Sequence, residues 1–155
     1  MVILDEYFIS QKTKSVTIEF NVNYFSRVTE LGDKEYYVRQ TPLEIIAESC
    51  MKDWTTYDGR RQIITLKTPY KHNVPIPTHL EKQIIVVPTK SPKRDDCAWL
   101  NPIHVTHTSE KITTKGKHVK VHFSDKTSLI LNDTSQYTVM EQIKRGHHCR
   151  NIIWK

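Results

Sequence analysis

The segment Tyr57–Arg61 combines an aromatic ring, a glycine and two adjacent guanidinium groups. The glycine predicts a flexible loop, with a strand expected directly after it at Gln62–Leu66. Arginines on a mobile loop suit the narrow minor groove of A/T-rich DNA, where the negative potential is deepest. Arg60 and Arg61 are therefore candidate DNA contacts. The alternative is a solvated arginine pair at the start of a strand.

A second candidate is the charged loop Thr89–Asp96, which contains hydroxyl groups, cations and a stiffening proline. Hydroxyls can donate hydrogen bonds to phosphate oxygens, and cations that neutralise phosphates release condensed counterions. The residues that fit these two roles are Thr89, Lys90, Ser91, Lys93 and Arg94. The neighbouring Asp95 and Asp96 would screen part of this positive charge. An ordinary exposed loop is the alternative.

Lysines form a third basic segment, in a predicted turn and the strand that follows it. They are Lys111, Lys115, Lys117 and Lys120. Contact with phosphates and a simple solvated face are both compatible with this pattern. We retain Lys115, Lys117 and Lys120 as candidate DNA contacts.

The eight histidines raise the question of a metal site. Structural zinc prefers paired ligands at close spacing that complete a tetrahedral shell, and no such spacing occurs here. The chain also lacks a phosphate-binding glycine loop, a nucleophile elbow and an HExxH motif. The sequence therefore predicts no metal, no cofactor and no enzyme. A metal-dependent hydrolase assembled from distant histidines is the alternative.

The excess of positive charge lies in the second half of the chain. The net charge is +6; residues 1–80 hold ten Lys or Arg and ten Asp or Glu, whereas residues 81–155 hold thirteen and seven. This asymmetry favours one surface suited to a polyanion. Solubility alone would also explain a charge of this size.

Length and composition predict a single domain over residues 1–155. No apolar stretch approaches the ~20 residues of a membrane span, and the acidic start of the chain lacks the cationic region of a secretory signal. The widely spaced Cys50, Cys97 and Cys149 indicate buried thiols in a reducing compartment, not a disulfide framework. We therefore expect a cytoplasmic protein that associates with the nucleoid.

The elements that position these residues are predicted to be short strands and two amphipathic helices, which is an α+β pattern with a mainly antiparallel sheet. Ser15–Phe20 alternates between apolar and polar residues, with Val16, Ile18 and Phe20 on its buried face, which predicts a strand. Further along the chain, a proline-rich link precedes an apolar run that is typical of a central strand. The predicted strands are Ser15–Phe20, Glu35–Arg39, Gln62–Leu66, Gln83–Pro88, Cys97–Thr106, Lys117–Phe123 and Thr127–Leu131.

Capping signals mark the two helices. Thr41 as N-cap, Pro42 after it and Glu44 at the third helical position predict a capping box. Apolar residues continue at helical spacing to Trp54, so this helix should bury one side to that residue. The second helix is predicted at Ser135–Arg145, ending near Gly146.

Five blocks of residues between positions 41 and about 105 resemble a known family in their order and spacing. They are Thr41–Cys50, Tyr57–Arg61, the proline link, Gln83–Thr89, and Cys97–Asn101 followed by His104-Val105. The family is ComK, the competence transcription factors of Gram-positive bacteria. The match is weaker over residues 106–145 and faint near the start, so residues 41–145 form the family core and residues 1–40 contribute weakly matched strands.

The resemblance implies an activator of genes for DNA uptake and recombination. Members bind paired A/T-rich boxes through the minor groove, as dimers that associate further on the promoter. Arg60 and Arg61 match the Gly-Arg loop of the family, and Thr89 with Ser91 match its Pro-Thr-x-Ser loop. The resemblance also implies RNA polymerase and an adaptor-protease system as partners. The family is expected to extend past the position of Lys155 with a charged tail.

We therefore predict a sequence-specific DNA-binding activator, with A/T-rich double-stranded DNA and a second copy of itself as partners. The alternative is a paralogue that binds no DNA or activates weakly, and acts through mixed dimers with a related activator. RNA binding is not favoured, because the chain has neither an aromatic RNP-like strand nor a GXXG loop.

Overall fold

The computed structural model describes residues 1–155 as ten strands, three α-helices and one 3-10 turn. The helices are α1 (Pro42–Lys52), α2 (Tyr57–Lys67) and α3 (Gln136–Ile153). The strands are β1 (Ile3–Leu4), β2 (Thr13–Ile18), β3 (Ser26–Glu30), β4 (Lys34–Val38), β5 (Ile76–His79), β6 (Ile84–Pro88), β7 (Trp99–Leu100), β8 (Val105–Thr113), β9 (Gly116–Phe123) and β10 (Ser128–Asn132). These elements confirm the predicted α+β class.

The strands form two sheets. One has seven strands in the order β1-β4-β3-β2-β7-β6-β5, and the other has three in the order β10-β9-β8. All neighbours are antiparallel except β1 and β4. The predicted strands near β2, β4, β6, β9 and β10 are confirmed, whereas β1, β3 and β5 lie in segments for which no strand was predicted.

The central strands β6 and β7 of the seven-stranded sheet are buried on both faces, which gives the protein two cores, whereas β1 and β4 at one edge are partly exposed. On β6, Val86 belongs to the first core and Val87 to the second, as alternation along a strand requires. Helices α1 and α2 cover the first face, whereas the three-stranded sheet and the start of α3 cover the second. Between the sheets, the buried Lys14 Nζ lies 2.7 Å from Asp125 Oδ2.

Helix α1 begins as the capping signal predicts. The Thr41 side chain accepts a hydrogen bond from the Glu44 backbone N–H, and the Glu44 side chain accepts one from the Thr41 N–H. Ile46 and Cys50 are buried one turn apart, which confirms the predicted buried side of the helix.

The prediction of a loop at Tyr57–Arg61 and a strand at Gln62–Leu66 is wrong, because α2 spans both segments. Thr56 caps the helix by accepting a hydrogen bond from the Gly59 N–H at 2.9 Å. Only Arg60 and Ile64, one turn apart, are buried on this helix. A buried stripe that includes an arginine does not resemble the usual apolar helical pattern, and this explains the error.

Two aromatic side chains predicted to be buried are exposed. Strand β2 ends at Ile18, so Phe20 lies in the following connection with 84% of its surface exposed. Helix α1 ends at Lys52, and the chain then turns through a positive φ of 62° at Trp54, which is 97% exposed. In both cases the apolar periodicity continues past the residue at which the element ends.

The prediction of one strand over Cys97–Thr106 is wrong. Strand β7 has only two residues, and a 3-10 turn at Pro102–His104 separates it from β8. Asn101 caps this turn by accepting a hydrogen bond from the Ile103 N–H. Pro102 cannot donate a ladder hydrogen bond, which is the reason that the strand is interrupted here.

Helix α3 continues past Gly146 to Ile153, so the predicted end at that glycine is wrong. A Cβ at position 146 would lie 2.5 Å from Pro102 Cγ and 2.9 Å from Val87 Cγ1. The glycine is needed for close packing of the helix against β6 and the 3-10 turn, and not for a change of chain direction.

We expect Gly146→Ala to lower the free energy of unfolding by about 1–2 kcal/mol, since overpacking at this site outweighs the better helix propensity of alanine. Urea denaturation measures this change. Gly59→Ala is the control at a less crowded glycine, because its Cβ would meet the Thr56 and Thr55 hydroxyl oxygens at 3.1 and 3.2 Å, and we expect a smaller loss there. An equal loss in both variants would contradict the packing explanation.

Candidate nucleic-acid interface

Arg60 does not lie on a mobile loop. Its Nη2 lies 2.6 Å from Asp53 Oδ2, and its Nη1 donates to the Pro77 carbonyl at 3.2 Å. Asp53 Oδ2 also accepts from the Leu80 N–H at 3.0 Å. The guanidinium therefore joins the end of α1, helix α2 and strand β5 inside the protein.

The environment of Asp53 keeps it ionised for this role. Burial alone would raise the pKa of the Asp53 carboxyl, but the hydrogen bonds from Leu80 and Arg60 lower it below its ordinary value. Arg61, by contrast, is exposed on α2, with its Nε 3.6 Å from Asp58 Oδ1. Neither arginine has the position that the sequence predicts.

The loop between β6 and β7 is more ordered than an ordinary surface loop. The buried Thr89 hydroxyl donates to the Ala98 carbonyl at 3.0 Å and accepts from the Ala98 N–H at 3.1 Å, so it closes the loop at its base. Lys90 Nζ lies 2.6 Å from Asp96 Oδ2, and Arg94 Nε lies 2.9 Å from Asp96 Oδ1. Hydrogen bonds from Arg94 and Lys90 hold the pKa of Asp96 far below its usual range.

Asp96 thus neutralises part of the positive charge of this loop, as the sequence suggests for the two aspartates. Ser91 and Lys93 are exposed, and Lys93 has no carboxylate within 4.0 Å. The freely available groups of the loop are therefore Ser91 and Lys93, while Lys90 and Arg94 would have to exchange a carboxylate for a phosphate.

The hairpin of β8 and β9 carries the lysines that were predicted from the sequence. Lys111, Lys115 and Lys117 are exposed and Lys120 is half-buried, and none of the four forms an ion pair. Gly116, with a φ of +116°, makes the tight turn at its tip. The charge of this hairpin is therefore available to a polyanion.

The solvent-facing side of the three-stranded sheet adds histidines to these lysines. In register, Lys111 lies opposite His118, while Lys120 lies on the same face between Ser109 and Ile130. The rings of His107 and His122 stack 4.1 Å apart. Partial burial, and then the charges of His107 and Lys120, lower the pKa of His122.

The hairpin and the β6–β7 loop lie at the same end of the protein. Asn132, the last residue of β10, pairs with His118 near the hairpin tip. Asn132 and Asp133 line a groove of about 530 Å³ together with Lys90 and Asp96 of the loop. Helix α2 packs on the first face of the seven-stranded sheet and the hairpin belongs to the second, so the structure separates Arg60 and Arg61 from the hairpin lysines. The β6–β7 loop lies between them, where Lys93 and Arg94 line a pocket with the start of α1.

The sequence analysis missed the connection between β2 and β3, residues 19–25, which lies beside this loop. Phe20 lines a shallow depression together with Lys93 and Arg94. The asparagines at 21 and 23 are turn-forming residues, and they were the available signal that strand β2 ends before Phe20.

An apolar groove of about 660 Å³ lies on the α2 side of the protein. Trp54, Ile63 and Leu80 line it, and its buried ion pair Asp53–Arg60 is neutral. Its lining is mainly apolar and adds a single unpaired cation, Lys67, so we do not assign it to DNA contact.

No group of three or more His, Cys, Asp or Glu side chains is arranged to hold a metal ion. Burial raises the pKa of the free thiols Cys50, Cys97 and Cys149 to about 11, which agrees with their prediction as packing residues. None of the helices combines the length and apolar character required to cross a bilayer.

Comparison with known proteins gives a family and one relative. The sequence model of a family described as ComK protein matches residues 4–155. The competence transcription factor of Bacillus subtilis (strain 168) is 31% identical over 103 residues, which is 66% of this chain and 53% of the relative. The matched part thus spans about half the length of that relative. No solved structure matches the chain.

We expect Arg60→Ala to lower the free energy of unfolding by about 3 kcal/mol, because it leaves the Asp53 carboxylate without its buried partner. Arg61→Ala is the matched control, and its effect should stay within about 0.5 kcal/mol because the side chain is exposed. Urea denaturation of both variants measures the difference. Equal stabilities would show that the Asp53–Arg60 pair does not support the fold.

Proposed function

The chain belongs to the ComK family, and on that premise we propose that it is a transcription activator that binds A/T-rich promoter DNA. The proposed targets are genes for DNA uptake and recombination. The observation that carries the DNA-binding part is the β8–β9 hairpin, with four lysines and no ion pair among them. Unpaired lysines on an exposed hairpin suit a phosphate backbone, since their binding releases counterions at no cost of a broken salt bridge.

The β6–β7 loop is the second proposed contact. Lys93 and the Ser91 hydroxyl are exposed next to Arg94, so they can approach the backbone at the edge of a groove. Arg94 is the arginine that we propose for the narrow minor groove, in place of Arg60 and Arg61. Guanidinium groups are attracted to A/T-rich tracts, where the minor groove narrows.

Self-association is also proposed. The minor groove distinguishes little beyond A·T from G·C, so one box supplies little selectivity. Two linked subunits that bind two boxes multiply the selectivity of a single box. A nucleoid location follows from DNA binding, and RNA polymerase and an adaptor-protease system are the further partners proposed from the family.

A gel shift tests the function directly. Duplexes with paired A/T-rich boxes should be shifted at lower protein concentration than scrambled duplexes, at two salt concentrations. A stable dimer that shifts neither duplex would instead favour the alternative, a paralogue that acts by mixed dimerisation.

We expect Lys117→Ala to reduce the slope of log K against log salt concentration by about 0.9, because one phosphate contact is lost. The affinities for A/T-rich and scrambled duplexes should fall alike, since phosphates carry no sequence information. Fluorescence anisotropy at several salt concentrations measures the slopes. Lys67→Ala is the matched control, an exposed lysine of α2 on the other side of the seven-stranded sheet. A slope that changes equally in both variants would refute the hairpin assignment.

We expect Asp96→Asn to strengthen DNA binding and to steepen the salt dependence. The carboxylate that pairs with Lys90 and Arg94 is removed, so both cations become available to phosphates. Asp95→Asn is the control, since Asp95 is exposed and forms no ion pair. Anisotropy titrations that show no gain for Asp96→Asn over this control would exclude the loop from the interface.

A further inference from the structure

The three-stranded sheet turns one face towards the second core and the other towards solvent. Along β9 the buried residues alternate with residues that point away from the core, as the geometry of a strand requires. The register with β8 and β10 extends this division to the whole sheet. The solvent side, which we call the outer face, carries two lysines and three histidines, and its other residues are uncharged. These five residues are Lys111, Lys120, His107, His118 and His122.

No carboxylate lies on the outer face. Glu110 lies opposite the buried Val119 and therefore belongs to the other face of the sheet. Asp125 lies in the turn after β9, where it pairs with the buried Lys14. Asp133 follows β10 and lines the groove beside the β6–β7 loop. Neither lysine of the outer face forms an ion pair. The outer face is thus complementary in charge to a polyanion, whereas the β6–β7 loop is partly neutralised.

Two histidines on this face form a close pair. The rings of His107 and His122 are 4.1 Å apart and within 4° of parallel. His107 Nδ1 lies 3.0 Å from Thr106 Oγ1, and His122 Nε2 lies 2.9 Å from Ser109 Oγ. A hydroxyl donates to a neutral ring nitrogen and accepts from a protonated one. Neither contact therefore opposes the addition of a proton to the pair.

The charged groups of α3 that face this pair are mainly cationic. Lys144 and His147 line a cavity of about 360 Å³ together with His107. Lys144 Nζ also lies 3.6 Å from Glu141 Oε1, which offsets part of its charge. Strand β10 adds no charged group to the outer face.

These surroundings disfavour a charged pair in the free protein. Partial burial, followed by the charges of His107 and Lys120, lowers the pKa of His122. Two stacked imidazoles also repel each other when both are protonated. A phosphate placed against the pair would reverse this balance, since a nearby anion favours the protonated form.

We propose that the outer face binds the phosphate backbone of duplex DNA, and that the His107–His122 pair takes up a proton from solvent when the phosphates arrive. Lys111 and Lys120 supply the permanent charge of this contact. This inference rests on the proposed DNA-binding function and adds a second set of phosphate ligands whose charge depends on pH. Because binding and proton uptake are linked, the affinity for DNA rises as the pH falls through the range in which histidine titrates.

The test measures the affinity of the full chain for an A/T-box duplex by fluorescence anisotropy, at constant ionic strength and varied pH. The wild type should bind about fivefold more tightly at about pH 6 than at about pH 7.5, because one proton is taken up. His107→Gln/His122→Gln should lose this gain. At about pH 7.5 this variant should bind within about twofold of the wild type, since imidazoles are mostly neutral there. His72→Gln is the matched control and should keep the gain, because His72 is an exposed histidine of the α2–β5 connection.

A second measurement uses the wild type alone and does not depend on the folding of a variant. In NMR titrations of the histidine rings, the duplex should move the titration midpoint of His122 to higher pH. A wild type that binds the duplex equally well across this pH range overturns the assignment of the outer face and leaves the proposed function standing, whereas a wild type that binds no duplex at any pH overturns both. A double variant that keeps the gain also overturns the assignment. If that variant loses self-association in sedimentation as well, the outer face is a contact between subunits.

Discussion

The central strands β6 and β7 of the seven-stranded sheet need cover on both faces, and this requirement decides where the helices and the second sheet lie. Side chains alternate along β6 and β7, so that Val86 and Trp99 join one core while Val87 and Leu100 join the other. The chain provides the two helices α1 and α2 for the first face and the three-stranded sheet for the second. The basic hairpin of the second layer is thereby separated from the arginines of the first.

The same layering sorts the cations into structural and available ones. A cation held between layers loses hydration and needs a carboxylate partner; Lys14 is paired with Asp125 and Arg60 with Asp53 in this way. Of the lysines of the β8–β9 hairpin, Lys111, Lys115 and Lys117 are exposed and Lys120 is half-buried, and none is paired. The net charge alone therefore overstates the number of cations that are available to a polyanion. The position of each cation relative to the two cores shows whether it is available.

Local signals predicted much of the fold, and contacts between distant residues account for the errors. The capping box at Thr41 acts within one helical turn, and the alternation in β9 reflects burial of one face, so both are visible in the sequence. The burial of Arg60 depends on Pro77, and the glycine at 146 depends on Pro102 and Val87, none of which is near in sequence. Of the candidate site, the lysines could be predicted because exposure needs no partner, and screening by the two aspartates was visible in the sequence. That Asp96 alone pairs with Lys90 and Arg94 required coordinates.

Affinity and selectivity are assigned to different elements in the proposed interface, and the physics of the minor groove explains why. Lysines attract any duplex, because phosphates are the same in every sequence. An A·T pair differs from a G·C pair in the minor groove by one amino group and by groove width and flexibility. Discrimination thus requires groups that reach the base edges, and the exposed Arg94 beside Lys93 is the group proposed for this role. The partial neutralisation of this loop by Asp96 sacrifices little electrostatic affinity, since the unpaired lysines of the hairpin supply it.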